Sequence, residues 1–197
     1  MPTRRPRRYP EGMQIIPAPD AGQILLVITP YVGGQSVFEL VARLALQGEL
    51  EVVDGGNTFN AYHVVHTLCR QTQAYAQAMA RIRLSRVFTC YQMATLLAEL
   101  EGQPRSGAPL LALDFLSTFA DQNVAAAERR RLLKACLGRL RRLASGGPVG
   151  LWVRARTVAP EEMDEFIRLV TQAAGRVWRL DHLPPAGPQQ PGLFPVE

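Results

Sequence analysis

Residues 24–36 read ILLVITPYVGGQS, and the first unit of the fold is predicted from them. Its first five residues, Ile24 to Ile28, are all apolar, which is typical of a β-strand buried on both faces of a sheet. Two glycines follow at Gly33 and Gly34, and a segment with apolar residues at helical spacing begins directly after them. The order strand, glycine turn, helix predicts a protein with a parallel central sheet.

The same alternation continues along the chain. Further strands are predicted at about residues 50–53, 86–89, 110–113, 149–153 and 176–180, with helices between them at about 61–82, 91–101, 125–143 and 161–173. Strands that alternate with helices favour an α/β fold that is doubly wound, with a mostly parallel sheet flanked by helices. At 197 residues, of which 47% are hydrophobic, the chain is long enough for one such core.

We predict three regions: a basic extended arm at residues 1–23, the α/β core at residues 24–183, and a flexible tail at residues 184–197. The arm combines arginines with prolines, and the tail is rich in proline, glycine and glutamine, so neither has much apolar surface to bury. No stretch approaches the roughly 20 apolar residues that span a membrane, and the basic N-terminus lacks the apolar run of a signal peptide. We therefore expect a soluble cytoplasmic protein without a membrane partner, whose three cysteines are reduced core thiols.

The turn after the first strand, residues 29–36, is similar to the phosphate-binding P-loop GxxxxGK[ST] at Gly34 and Ser36. In a working P-loop, backbone N–H groups hold the phosphates, a lysine contacts the β- and γ-phosphates, and the hydroxyl binds magnesium. Gln35 stands in the position of the lysine and supplies no positive charge, and Thr29 replaces the first glycine. An ordinary strand-to-helix turn also contains glycines, so the turn by itself leaves both interpretations open.

Two further segments resemble the RecA/RadA recombinase family. Residues 54–60, DGGNTFN, are similar to the segment after the family's second strand, which reads Asp-Thr-Glu-x-Thr-Phe-Arg in archaeal and eukaryotic members. The matched positions are Asp54, Thr58 and Phe59. Residues 110–117, LLALDFLS, resemble the family's Walker B strand, with Asp114 in the position of the carboxylate on the magnesium side.

This resemblance implies a RecA-like P-loop NTPase fold over about residues 24–180 and departs from the family in the catalytic residues. The family's catalytic glutamate, which positions the attacking water, corresponds to Gly56, and glycine has no side chain with which to orient water. We therefore predict no catalytic residues and no cofactor, with residual binding of ATP and magnesium as the alternative. The degenerate nucleotide-binding positions are Gly33, Gly34, Gln35, Ser36 and Asp114.

The charge balance favours an acidic partner, because 22 Lys and Arg face 17 Asp and Glu, a net charge of +5. Seven cations lie between residues 129 and 142 with no acid among them, and Arg154 and Arg156 follow the fifth strand, where the family carries a polar sensor and a DNA-binding loop. No array of exposed aromatic residues is evident, so contact with the DNA backbone is expected rather than base readout; an ordinary solvated helix face is the alternative. The candidate DNA-binding residues are Arg4, Arg5, Arg7, Arg8, Arg131, Lys134, Arg141, Arg142, Arg154 and Arg156.

Residues 190–194, QPGLF, resemble the pentapeptide Gln-Leu-x-Leu-Phe with which bacterial repair polymerases and their accessory factors bind the replication sliding clamp. Gln190, Leu193 and Phe194 are therefore candidate clamp-binding residues, because an apolar pair fills a pocket and the amide fixes the register. Pro191 replaces the usual leucine. A polar tail without a partner is the alternative interpretation.

These observations predict a non-catalytic RecA-like accessory protein of DNA repair, recombination or translesion synthesis, similar in outline to the ImuA-type proteins. Its expected partners are DNA of any sequence and a sliding clamp, an error-prone polymerase or a recombinase. Two alternatives remain: a nucleotide-binding ATPase with an atypical P-loop, and a protein-interaction regulator that does not bind DNA. No metal site is predicted, because His63, His66 and Cys69 recur every three residues and therefore drift around their helix.

Overall fold

The computed structural model describes residues 15–30, 34–104, 106–155 and 161–180. Within them, the strands are β1 Ile24–Pro30, β2 Leu50–Asp54, β3 Ile82–Arg86, β4 Leu110–Leu113, β5 Val149–Ala155 and β6 Arg176–Arg179. The α-helices are α1 Gln35–Gln47, α2 Ala61–Cys69, α3 Tyr75–Ala80, α4 Cys90–Glu101, α5 Ala126–Ser145 and α6 Glu161–Ala173. A 3₁₀ helix spans Phe115–Phe119.

The strands form one sheet in the order β3-β2-β4-β5-β1-β6, and all of its strand pairs are parallel. Connections that run toward the β3 edge carry α1, α2 and α3, whereas connections that run toward the β6 edge carry α4, α5 and α6. Because crossover connections are right-handed, the two groups of helices cover opposite faces. The predicted α/β fold with a parallel sheet flanked by helices is confirmed, but the strand order by itself does not assign the chain to a family.

The apolar run of β1 is explained by two separate cores. Leu25 and Val27 are buried in the cluster formed with α1, α2 and α3. Ile24, Leu26 and Ile28 are buried in the cluster formed with α4, α5 and α6. Since burial of an aliphatic side chain stabilises the fold by about 1.5–3 kcal/mol, each residue of this strand contributes to one core or the other.

The helix predicted over residues 61–82 is two helices. The carbonyl of Leu68 accepts hydrogen bonds from the N–H groups of Gln71 and Thr72, at 2.8 and 2.9 Å, which closes α2. The hydroxyl of Thr72 then accepts from the N–H of Ala74 at 3.0 Å, and such side-chain bonds compete with helix formation.

The third strand lies four residues earlier than the predicted span of 86–89. Ile82 and Leu84 pack against the α1 cluster and alternate with Arg83 and Ser85, so the strand has a period of two rather than an apolar run. This pattern suits a strand at the edge of the sheet, where one face and one side are open to solvent.

In the described end of the predicted arm, residues 15–23, two residues are buried against the core and five are exposed. Ile16 is 1% exposed, and the Arg43 guanidinium donates a hydrogen bond to its carbonyl. Gly22, at φ +85°, donates from its N–H to the carbonyl of Ala144 at 2.8 Å. The packed core therefore includes a residue before position 24, because Ile16 is buried within the segment that was predicted as an arm.

Of the cysteines, Cys90 and Cys136 are buried, as predicted for core thiols, whereas Cys69 is exposed at the end of α2. Burial raises the pKa of Cys136 to about 12 and also raises the pKa of Cys90. In the described part of the chain, every helix is too short or too polar to cross a membrane.

Candidate functional site

The residues matched to the recombinase motifs meet at one edge of the sheet. Because the strands are parallel, the segments that follow their carboxyl ends lie along the same edge, where α/β proteins bind their ligands. Asp54 ends β2, Asp114 follows β4, Arg154 lies near the end of β5, and Gly34 precedes α1 after β1. These segments therefore lie along one edge of the sheet, and their role as a binding site stays a prediction.

Asp54 organises the loop that follows it. Its side chain is fully buried and accepts hydrogen bonds from the N–H groups of Thr58 and Phe59, at 2.9 and 2.8 Å, and from the Thr58 hydroxyl at 3.2 Å. The guanidinium of Arg86 lies 3.7 Å from its carboxylate. Since a buried carboxylate needs donors from all sides, the three positions that match the recombinase segment form one closed turn, and Asp54 acts within it.

Asp114 is held by the chain itself. Its backbone is left-handed, with φ 46° and ψ 46°, and its side chain is 6% exposed. Arg154 donates to Oδ2 of this carboxylate in an ion pair, and the guanidinium carbon lies 5.9 Å from the centre of the Trp152 ring. Arg154 therefore compensates the charge of Asp114 from within the protein. Because this ion pair is largely removed from solvent, water screens it less than an exposed pair.

Gly56, at the position of the family's catalytic glutamate, faces Asp114 at close range. A β-carbon at position 56 would lie 2.7 Å from both Cβ and Cγ of Asp114 and closer still to Oδ2. Such distances are far inside van der Waals contact, and the atoms they involve lie near the backbone rather than at the end of a flexible chain. The arrangement of this site therefore excludes any side chain at position 56, and a glutamate could not be accommodated without moving Asp114.

A tryptophan fills the space beside the P-loop-like turn. The Trp152 ring lies 3.0 Å from the place where a β-carbon of Gly34 would stand, and its edge packs against Phe38 with ring centres 6.0 Å apart. Its indole N–H donates to the hydroxyl of Thr29 at 2.9 Å, and both residues are buried. Thr29 thus has a structural partner, which explains why a hydroxyl rather than a glycine stands there.

Sequence reasoning missed the role of Trp152. The available signal was its spacing from Arg154, because residues two apart on a strand lie on the same face. Gln35 and Ser36 lie in the first turn of α1, with Gln35 exposed, and Gly33 lies outside the described residues.

The arginines of α5 connect this helix to its neighbours on the same face. Arg129, 6% exposed, donates to the carbonyl of Phe119 at 3.2 Å and forms an ion pair with Glu162 of α6 at 2.6 Å. Arg130 pairs with Glu165 one turn further along α6, at 2.5 Å. The start of α5 is therefore cross-linked to α6.

The end of α5 is linked to both neighbouring helices. Arg141 donates to the carbonyl of Gln172 at the end of α6, at 3.0 Å. Arg142 and Arg139 both pair with Glu101 at the end of α4, at 3.2 and 3.4 Å. The hydrogen bonds from Arg142 lower the pKa of the Glu101 carboxyl below its usual value.

The remaining candidate cations of α5 are more exposed. Arg131 makes two hydrogen bonds of 2.7 Å to Glu128, one turn earlier on the same helix, which lowers the pKa of Glu128, and Lys134 is exposed. The acids that pair with these arginines lie mostly on other helices, so a count of charges along residues 129–142 could not reveal them. Each of the six arginines of α5 has a partner within the protein.

Exposed aromatic side chains lie beside the candidate site, where the sequence had suggested none. Tyr62 is 78% exposed in the first turn of α2, Phe88 is 65% exposed just before α4, and Tyr91 is 49% exposed in the first turn of α4. Since α2 and α4 follow the adjacent strands β2 and β3, all three lie at the same carboxyl edge of the sheet. Exposed apolar side chains mark a contact surface where they form a contiguous patch, which makes this edge of the sheet a candidate for one.

Some predicted site residues lie outside the described residues. They are Arg4, Arg5, Arg7, Arg8, Gly33, Arg156, Gln190, Leu193 and Phe194.

No protein-family model matches this sequence. No curated protein sequence matches it either.

Proposed function

We propose that this protein is a non-catalytic, RecA-like accessory protein of DNA repair, recombination or translesion synthesis, which binds DNA and a replication or repair partner. The observation that carries the non-catalytic part is the close contact between Gly56 and Asp114, which leaves no room for a residue that orients water. Without such a residue and without a lysine in the P-loop-like turn, phosphoryl transfer has neither its water-positioning group nor its phosphate clamp.

The RecA-like part rests on the meeting of three motif-like segments at one edge of a parallel sheet. The turn before α1, the loop ordered by Asp54, and Asp114 at the end of β4 are all at the carboxyl edge. Every segment that follows a parallel strand shares this edge, so the support comes from the matched residues within these segments, Gly34, Asp54 with Thr58, and Asp114. The sheet order and the absence of a matching family model leave this part a proposal.

The DNA-binding part is supported by the net charge of +5 and by the surface at the carboxyl edge. Arg131, in the half of α5 nearer this edge, is 66% exposed in spite of its pair with Glu128, so phosphates could compete for it. Arg142 is 60% exposed but lies at the end of α5 that leads to the opposite edge of the sheet. Tyr62, Phe88 and Tyr91 add exposed rings on which unpaired bases stack. These features favour single-stranded over double-stranded DNA.

The alternative of an active ATPase needs another cation in place of the missing lysine. Arg154 is an arginine of β5 close to this edge of the sheet, but its guanidinium is paired with Asp114. The alternative of a protein-interaction regulator is favoured by one observation, the pairing of the α5 arginines with protein groups. In that case Phe88 and its neighbours would contact a protein instead of bases.

The test is binding of the full chain to fluorescent single-stranded and double-stranded oligonucleotides at several salt concentrations, together with an ATPase assay in the presence of DNA. We expect tighter binding to the single strand, an affinity that falls steeply with salt, and no DNA-stimulated hydrolysis. Replacement of Tyr62 and Phe88 by alanine should weaken single-strand binding more than double-strand binding, because stacking contributes about 1–3 kcal/mol per base. Tyr75→Ala, at a less exposed aromatic residue on α3, is the matched control.

Two outcomes would contradict the proposal. Absence of DNA binding at low salt would favour the regulator. Robust ATP hydrolysis that Asp114→Asn abolishes would favour the active enzyme.

A further inference from the structure

The RecA-like resemblance implies a bound magnesium nucleotide, and the residues at the carboxyl edge can be compared with what that ligand needs. Magnesium requires an accessible carboxylate and near-octahedral coordination at about 2.0–2.1 Å, and the triphosphate requires an open row of N–H groups at the start of a helix. Asp114 is the carboxylate that would bind the magnesium ion. Gly34 is the residue at the start of the helix that would contact the triphosphate.

The carboxylate of Asp114 does not meet the first requirement. Its Oδ2 accepts from Arg154, and Gly56 approaches the same oxygen so closely that a single added carbon would collide with it. A divalent cation at this carboxylate would therefore have to displace the guanidinium or lie next to a like charge. The residues present do not fit a magnesium ion.

Arg154 is not a mobile surface side chain that a metal would easily displace. It is 19% exposed, and its guanidinium lies over the ring of Trp152. Trp152 is in turn fixed by its hydrogen bond to Thr29 and by its edge contact with Phe38 of α1. The cation is thus supported by a buried chain of contacts that connects β5 to β1 and to the first helix.

The same tryptophan affects the second requirement. Its ring packs against Gly34, which is the residue that caps the start of α1. The space beside this helix terminus is therefore filled by a side chain of the protein, on the side of the turn that faces β5. Trp152 thus both supports the internal cation and packs against Gly34 at the start of α1.

We propose that Arg154 is a built-in substitute for the divalent cation, so that the carboxyl edge is held closed by an internal ion pair and needs neither magnesium nor nucleotide. Where RecA-like proteins would use a bound ligand to join these segments, this chain joins β4 and β5 through Asp114 and Arg154. If the proposed function holds, binding of DNA and of a protein partner is independent of nucleotide.

The experiment uses the full chain and follows thermal unfolding and manganese binding, the latter by the paramagnetic resonance of free Mn²⁺. Wild-type protein should show no melting shift with Mg²⁺, Mn²⁺, Mg-ADP or Mg-ATP, because a ligand that does not bind the native state cannot stabilise it. Arg154→Gln should melt at a lower temperature and should gain weak Mn²⁺ binding, because Asp114 is then uncompensated. The double variant Arg154→Gln, Asp114→Asn should lose that gain.

Arg83→Gln is the matched control, because it removes exposed ion pairs with Glu49 and Glu51 at a distance from the site. It should leave Mn²⁺ binding absent. If Arg154→Gln fails to fold, the wild-type titrations still decide the question.

Saturable binding of Mg-ATP or Mn²⁺ to the wild-type protein, lost on Asp114→Asn, would overturn the inference. That result without hydrolysis would leave the proposed non-catalytic function intact. Absence of both nucleotide binding and DNA binding would support the role of Arg154 as the internal cation. The same result would contradict the proposed function.

Discussion

Arginine and carboxylate meet in two regions of this molecule, with different consequences. At the carboxyl edge of the sheet, Arg154 and Asp114 are almost buried and are surrounded by close contacts from Gly56 and Trp152. Along α5, arginines reach across solvent-facing grooves to glutamates of α4 and α6. The same ionic chemistry is thus a fixed part of the core in one region and an adjustable surface feature in the other.

The difference follows from solvation. An exposed pair gains little from its Coulomb attraction, because water screens the charges and two long side chains lose freedom. A buried pair is costly to form, but removal of one partner leaves an unpaired charge away from water. Substitutions in the two regions should therefore lower the free energy of unfolding by different amounts. The loss should be larger where the contact is more deeply buried.

The largest effect is expected from Gly56→Ala. The added methyl group would collide with Cβ and Cγ of Asp114, so the left-handed backbone there or the pair with Arg154 must shift. Such overpacking in a rigid environment should lower the free energy of unfolding by about 3 kcal/mol. Urea denaturation followed by circular dichroism measures the change.

Gly48→Ala is the control for this substitution. Gly48 follows α1 with an extended backbone, and a β-carbon there would meet nothing within 4 Å. Its effect on stability should be within about 0.5 kcal/mol. Equal stability of the two variants would mean that position 56 is more open than the geometry of this site requires.

The next effect is expected from Arg154→Ala. The substitution leaves the Asp114 carboxylate without its counter-ion, which should cost about 2.5 kcal/mol, because the 19% exposure of Arg154 gives water partial access to the pair. In a double-mutant cycle with Asp114→Asn, the two changes should be strongly non-additive, because each removes the same interaction. A parallel cycle on Arg142 and Glu101, whose pair is exposed, should be close to additive. Equal coupling energies in the two cycles would contradict the expected difference between the buried pair and the more exposed one.

Within α5, Arg129→Met tests the same contrast between a buried and a more exposed ion pair. Arg129 is the buried member of the helix, and its loss leaves the carbonyl of Phe119 without a donor and Glu162 without its partner. We expect a loss of about 2 kcal/mol in the free energy of unfolding. Arg130→Met removes a similar but exposed pair with Glu165 and should have a much smaller effect. If Arg130→Met were the more damaging variant, burial would not be the deciding factor.

Local sequence patterns predicted what depends on neighbours along the chain. The apolar run of β1 and the helical spacing after Gly34 predicted the first strand and helix. A strand that is buried on both faces has apolar residues at consecutive positions, so the run is visible in the sequence. The third strand was misplaced because Ile82 and Leu84 alternate with polar residues, and such a short alternating segment resembles the end of a helix.

The candidate site was predictable only in part, for the same reason. Asp114 and its motif are local, whereas its counter-ion Arg154 lies 40 residues further along the chain and Glu101 lies 41 residues from Arg142. Pairs of this separation depend on which strands and helices become neighbours. The sequence predicted a loss of catalysis from the missing lysine and glutamate, but not that an arginine compensates the remaining carboxylate.

The smallest effect is expected from pH, and it belongs to the surface region. Hydrogen bonds from Arg142 and Arg131 lower the pKa of Glu101 and Glu128 in the folded protein below the value of 4.5 that an unperturbed glutamate has. Because the folded pKa lies below the unfolded one, the stabilisation is complete above about pH 4.5 and is lost as the pH falls through the lowered folded pKa. The urea midpoint should therefore decrease slightly across this acidic range, and Glu101→Gln should make the curve flatter. Since both carboxylates are partly exposed, a large change attributable to Glu101 would show that water screens the link between α4 and α5 less than this exposure implies.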